Sequence, residues 1–118
     1  FKTAYDKGII LSGVSAGAVC WFDWILSDSM GLGFKPLKGI NLIEGSCTPH
    51  SSNIERINEF KLNIKNNKLP NGIAIDDGVA VVFIDGKPTE VYSTIDNQGA
   101  YFLDKNKKIN LKEYIKNT

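Results

Sequence analysis

The sequence predicts an α/β layered fold, with strands of a parallel sheet covered by helices. Residues 9–13, Ile-Ile-Leu-Ser-Gly, form a short and nearly continuous apolar run between glycines, the pattern of a strand buried on both faces. Residues 16–22 stay apolar without alternation, as a buried helix does. Farther along, strand and helix patterns continue to alternate before a β-rich end, the order of an α/β chain.

The elements follow in order. Residues 1–8 read as the end of a helix closed by Gly8. A domain rarely starts in the last turn of a helix, and the chain does not begin with methionine. The expectation is therefore the C-terminal part of a longer domain, with residues 1–118 belonging to one domain. After the strand at 9–13 and the helix at 16–22, residues 27–38 hold glycines and a proline and read as loop. Residues 39–45 alternate and suit a strand that delivers Cys47, Thr48, Pro49 and His50. Ser51, Ser52 and Asn53 offer a cap for a helix from about Ile54, whose apolar spacing runs through Ile57, Phe60, Leu62 and Ile64. Lys65 to Lys68 close it. Residues 73–75 and 79–84 read as strands; Asp85-Gly86 is a hairpin turn leading into a strand over 89–94, and 99–103 is one strand more.

Composition narrows the function classes. The apolar fraction of 42% and charged fraction of 23% are those of an ordinary folded protein rather than a disordered chain. A net charge of +1, with Arg56 the sole arginine, lacks the basic footprint of a nucleic-acid binder. Lys105, Lys107 and Lys108 read as a solvated loop. No apolar stretch is long enough to span a bilayer, and no signal peptide is visible. Cys20 and Cys47 do not make a disulfide framework, which favours a reducing compartment such as the cytoplasm. Cys47 with His50 is too small a set for a metal site, so none is expected, and no phosphate-cradling glycine loop of the Walker type occurs.

The chemistry concentrates in Gly13-Val14-Ser15-Ala16-Gly17. A serine hydroxyl becomes a nucleophile when a strained turn exposes it beside a base. The G-x-S-x-G elbow does this between a strand and a helix, where only small neighbours fit. The Ala16 N–H, at the start of the following helix, is placed to stabilise an oxyanion. His50 is the sole histidine, so a Ser-His pair within this chain must use it as base. It follows a strand pattern, in a loop of the kind that carries functional residues. A carboxylate should orient the imidazole. Asp77, in Ile75-Asp76-Asp77-Gly78, is the first choice. Asp28 is a rival because Ser15, Asp28 and His50 follow the chain order of α/β-hydrolases, and Asp76 is the adjacent alternative.

Gly13-Val14-Ser15-Ala16-Gly17-Ala18, Pro49-His50 and Ile75-Asp76-Asp77-Gly78 together resemble peptidase family S51, which contains peptidase E (aspartyl dipeptidase) and cyanophycinase. The likeness runs from about Phe1 to Phe83. It implies a three-layer sandwich with a mainly parallel sheet, of the class I glutamine amidotransferase-like type, whose N-terminal strands lie outside this chain. It implies a Ser-His-Glu triad without a cofactor, acting on short peptides. Ser15 is then the nucleophile, His50 the base, and Asp77 stands where the family has glutamate. Peptidase E reads an N-terminal aspartate with an arginine after the histidine loop. Arg56 lies in that region and is the candidate for substrate binding, although alignment puts Asn53 at the arginine's position. The other readings are a non-catalytic relative that binds a partner, and a cyanophycinase-like hydrolase. A strand such as 9–13 needs neighbours on both edges, so association into a homo-oligomer, or with the missing N-terminal half, is expected.

Overall fold

A computed structural model of the protein describes residues 1–29, 31 and 33–117; Met30 and Leu32, inside the expected loop, and Thr118 lie outside the described residues. Two helices come first, α1 (Lys2–Asp6) and α2 (Ala16–Val19). Strands β1 (Phe22–Ser27), β2 (Lys35–Lys38) and β3 (Ile43–Thr48) precede α3 (Ile54–Lys65). Then follow β4 (Gly72–Ile75), β5 (Val79–Ile84), β6 (Lys87–Ser93), β7 (Ala100–Leu103), β8 (Lys108–Asn110) and α4 (Leu111–Lys116).

The main sheet has six strands in the order β2-β1-β3-β4-β7-β8. It is mixed: β1, β3 and β4 are mutually parallel, while β2, β7 and β8 pair antiparallel at the two sides. The fold is thus α/β, and parallel pairing is confined to the middle of the sheet. On one face α3 buries Ile57, Phe60 and Ile64 against Leu26, Ala74 and Leu103. The other face, with Phe22, Cys47, Ile73 and Ala100 at its centre, is covered by the β5–β6 hairpin and by α4. The hairpin contributes Val79, Val81, Phe83 and Val91, and Phe22 meets Phe83 edge to face with ring centroids 5.4 Å apart. The strands alternate as two covered faces require: Ala74 and Leu103 look to α3, Ile73 and Ala100 to the hairpin.

Several expected elements are corrected. Residues 9–13 form no strand; no described strand lies alongside them, and Ile9 and Ile10 are exposed. An apolar run without a hydrogen-bonding partner cannot be a strand, whatever its composition. The helix expected over 16–22 stops at Val19, because Phe22 enters β1 and pairs with Ile43 of β3. The expected loop at 27–38 contains edge strand β2, and the strand expected at 39–45 lies at Ile43–Thr48. Lys108, read as loop, begins β8 and sits with its ammonium 4.2 Å from the Tyr101 ring centre. Helix α4 was not foreseen; its six residues are too few to show a helical period. The cap and hairpin are as expected: Asn53 accepts a hydrogen bond from the Arg56 N–H at 3.0 Å, and Asp85-Gly86 turns β5 into β6.

Among the described residues no helix is long and apolar enough to cross a membrane. Cys20 and Cys47 are both free thiols. Cys47 is wholly enclosed by the sheet and the hairpin, and burial pushes its thiol far above the ordinary value because the thiolate would lose its solvation. It should therefore resist iodoacetamide at pH 8 in the native protein and react fully once the chain is denatured, as mass spectrometry can count. Rapid native alkylation of Cys47 would mean that the hairpin does not stay closed over the sheet.

Candidate active site

Ser15 sits at the start of α2 with φ 54 and ψ −118, a backbone conformation that non-glycine residues rarely occupy and that surrounding structure must hold in place. The turn is closed by the Gly17 N–H donating to Val14 O at 2.9 Å, while the Ala18 and Val19 N–H groups both reach Ser15 O. The Ala16 N–H has no acceptor among the described residues. Space explains one of the elbow's glycines. A Cβ at Gly13 would lie 1.9 Å from Gly17 O, whereas a Cβ at Gly17 would meet nothing within 4 Å. Gly13→Ala must therefore open the turn and move Ser15. We expect it to slow fluorophosphonate labelling of the serine on the order of a hundredfold, the usual result of misplacing a reacting group by about 1 Å. Gly17→Ala serves as the control that should label normally.

Strand register brings the other two residues together. Thr48 at the end of β3 pairs with Ala74 of parallel β4, so the chains leaving both strands emerge side by side at the carboxyl edge of the sheet. Open α/β sheets place their ligand sites at that edge. His50 follows Thr48-Pro49 and has φ 51, a left-handed backbone conformation. Its Nε2 lies 2.9 Å from Ser15 Oγ, and its Nδ1 is hydrogen-bonded to Asp77 Oδ1. A carboxylate only accepts, so it holds the proton on Nδ1 and leaves Nε2 as the acceptor for the serine hydroxyl. The three side chains form one line in the order hydroxyl, imidazole, carboxylate.

The remaining expected residues are placed elsewhere. Asp28 is ion-paired with Arg56, Oδ2 to Nη2 at 3.2 Å. Asp76 is buried, and its carboxylate is bonded to the Ser51 hydroxyl and the Gly99 N–H. Arg56, offered above for substrate binding, is also buried. Its Nη1 donates to Leu26 O at 3.1 Å and to Thr48 Oγ1 at 3.4 Å, and its guanidinium lies 4.7 Å from the Phe34 ring centre. Asn53 spends its side-chain oxygen on capping α3. Ser51, Gly99 and Tyr101 were not singled out from the sequence. The available signal was adjacency, since Ser51 follows His50 and Asp76 precedes Asp77. Tyr101's phenol is pushed up by burial first, then by the charge of Asp76 and a hydrogen bond with it. Among the described residues no cluster of three or more His, Cys, Asp or Glu side chains could hold a metal ion.

An α/β sheet with a strained serine, a histidine and an aspartate aligned at its carboxyl edge defines the architecture. The comparisons supply the family. Residues 1–91 match the sequence model of peptidase family S51, so the chain belongs to that family. It is 34% identical over 101 residues to a protein of Bacillus subtilis (strain 168) named "Uncharacterized peptidase YgaJ", a match covering 85% of this chain and 44% of the relative. The chain thus spans less than half the length of that relative. No solved structure gives a significant match.

Proposed function

We propose that the chain carries the catalytic residues of a serine peptidase acting on short peptides, within a class I glutamine amidotransferase-like domain. The reading is carried by the 2.9 Å contact of Ser15 Oγ with His50 Nε2, with Asp77 on the far ring nitrogen. Parallel strands β1, β3 and β4, with His50 and Asp77 at the carboxyl ends of β3 and β4, favour that domain type.

Ser15 Oγ attacks the scissile carbonyl carbon, forming a C–O bond while the hydroxyl proton passes to His50 Nε2. The carbonyl electron pair moves onto oxygen, where the unspent Ala16 N–H donates to it. Asp77 stabilises the imidazolium without taking its proton. Collapse of the intermediate breaks the C–N bond, and His50 returns its proton to the departing amine. Water then repeats the sequence against the Ser15 ester and frees the acid. The family's glutamate is here Asp77, which reaches Nδ1 despite its shorter side chain because β3 and β4 are adjacent.

Arg56 is committed inside the protein, so recognition of an acidic substrate residue would fall to another group. This favours peptide substrates without an acidic requirement over a polymer rich in aspartate. The free thiols fit a cytoplasmic setting. Exposed Ile9, Ile10 and Val14 beside the elbow favour assembly with a further polypeptide, a second copy included, which light scattering would measure. The deciding experiment for function is a labelled fluorophosphonate, which should attach to Ser15 in the native protein and not after denaturation. Failure to label would leave a non-catalytic, partner-binding role.

A further inference from the structure

The mechanism leaves Asp76 unused, although it adjoins the acid of the triad. It is only 7% exposed, and both of its oxygens are engaged: Oδ1 accepts from Ser51 Oγ at 2.6 Å and Oδ2 from the Gly99 N–H at 2.9 Å. Ser51 is buried as well, and its N–H donates to Ile75 O at 3.1 Å. The Asp76 N–H in turn donates to Gly99 O at 3.0 Å. The residue after His50 is therefore bonded to the residue before Asp77, and Asp76 is also tied to the Gly99 backbone.

This matters because the triad side chains cannot align themselves. His50 and Asp77 are 47% and 58% exposed, and an ion pair so exposed contributes little order of its own. His50 also holds a left-handed backbone conformation, which its neighbours must maintain. Charge-assisted hydrogen bonds in a buried setting are the stronger and better-oriented kind. The one joining Ser51 to Asp76 spans the two loops that present the pair.

We propose that the buried Ser51–Asp76 hydrogen bond is a positioning clip that locks the His50 and Asp77 loops in catalytic register. Neither residue touches the reacting atoms; they act through the imidazole–carboxylate alignment. The proposal rests on the triad reading given above, and its test separates the two.

The readouts on the intact protein are the second-order rate of fluorophosphonate labelling, the thermal midpoint, and the low-field proton signal of His50 Nδ1–H. Ser51→Ala should slow labelling about tenfold to a hundredfold and broaden the low-field signal, whereas Ser51→Thr, which keeps the hydroxyl, should restore both. The decisive comparison is made in an Asp77→Asn background. There the clip has no pair left to align, so adding Ser51→Ala should change the labelling rate less than about twofold. An equal loss in both backgrounds would assign Ser51 a general structural role and overturn the proposal. So would a wild-type rate and signal in Ser51→Ala. Should Ser51→Ala unfold below assay temperature, Asp76→Asn is read by the same two-background comparison. Labelling unaffected by Asp77→Asn alone would instead reject the triad, a result distinct from failure of the clip.

Discussion

Replacing Ser15 with alanine is expected to abolish fluorophosphonate labelling and to lower peptide turnover on the order of 10⁴-fold or more, with the fold retained. The hydroxyl 2.9 Å from His50 Nε2 is the group the proposed reaction needs, and nothing else in the strained turn replaces it. Alanine fits where serine does, and among the described residues the Ser15 hydroxyl has no hydrogen-bond partner besides His50, so stability should change by less than about 0.5 kcal/mol. His50→Ala should cost about as much as Ser15→Ala. The double variant should cost no more, because the members of a triad act as one unit. Asp77→Asn should lower turnover roughly 10⁴-fold, since an amide can donate to Nδ1 and hold the wrong tautomer. Asp28→Asn should retain turnover, because that carboxylate faces Arg56. Labelling that persists in Ser15→Ala would remove the nucleophile from the scheme.

The candidate residues were legible because the information is local or exclusive. An elbow is five consecutive residues, the chain has one histidine, and the Ile75-Asp76-Asp77-Gly78 turn lies next to a strand pattern. What the sequence could not choose was which of Asp28, Asp76 and Asp77 faces the ring. That depends on the register of β3 against β4 and on partners far along the chain, such as Gly99 and Arg56. The strand expected over 9–13 failed for the same reason. Phe22–Ser27 and residues 9–13 are both apolar and lack a decisive period; only the first has strands beside it to accept its hydrogen bonds. Edge strand β2 was hidden by Lys35, Pro36 and Lys38, residue types that blunt sheet edges and that also populate loops. Arg56 was the candidate for substrate binding, yet the partners that bury it, Leu26, Asp28 and Phe34, come from β1 and the segment after it.

Arg56→Ala is expected to destabilise the protein by about 3 kcal/mol while leaving the kcat/KM of the folded molecules within about twofold of wild type. The side chain is 7% exposed and fixes the carboxyl end of β1 through Leu26 O and that of β3 through Thr48 Oγ1. Hydrogen bonds from a charged donor contribute roughly 1.5–3 kcal/mol each, and alanine would strand the buried carbonyl of Leu26. Contact with the Phe34 ring adds about 0.5–2 kcal/mol. The ion pair adds little, because Asp28 is 66% exposed and solvent screens it. These contributions share one side chain and do not sum, so the expected loss lies below their total. Arg56→Lys should recover only part of it, since an ammonium cannot fork toward Leu26 O and Asp28 together. Urea midpoints measure the stability change, and kinetics on matched acidic and neutral peptides measure the other arm. A raised KM confined to acidic peptides, with an unchanged urea midpoint, would return Arg56 to the substrate site and show that its internal partners are dispensable.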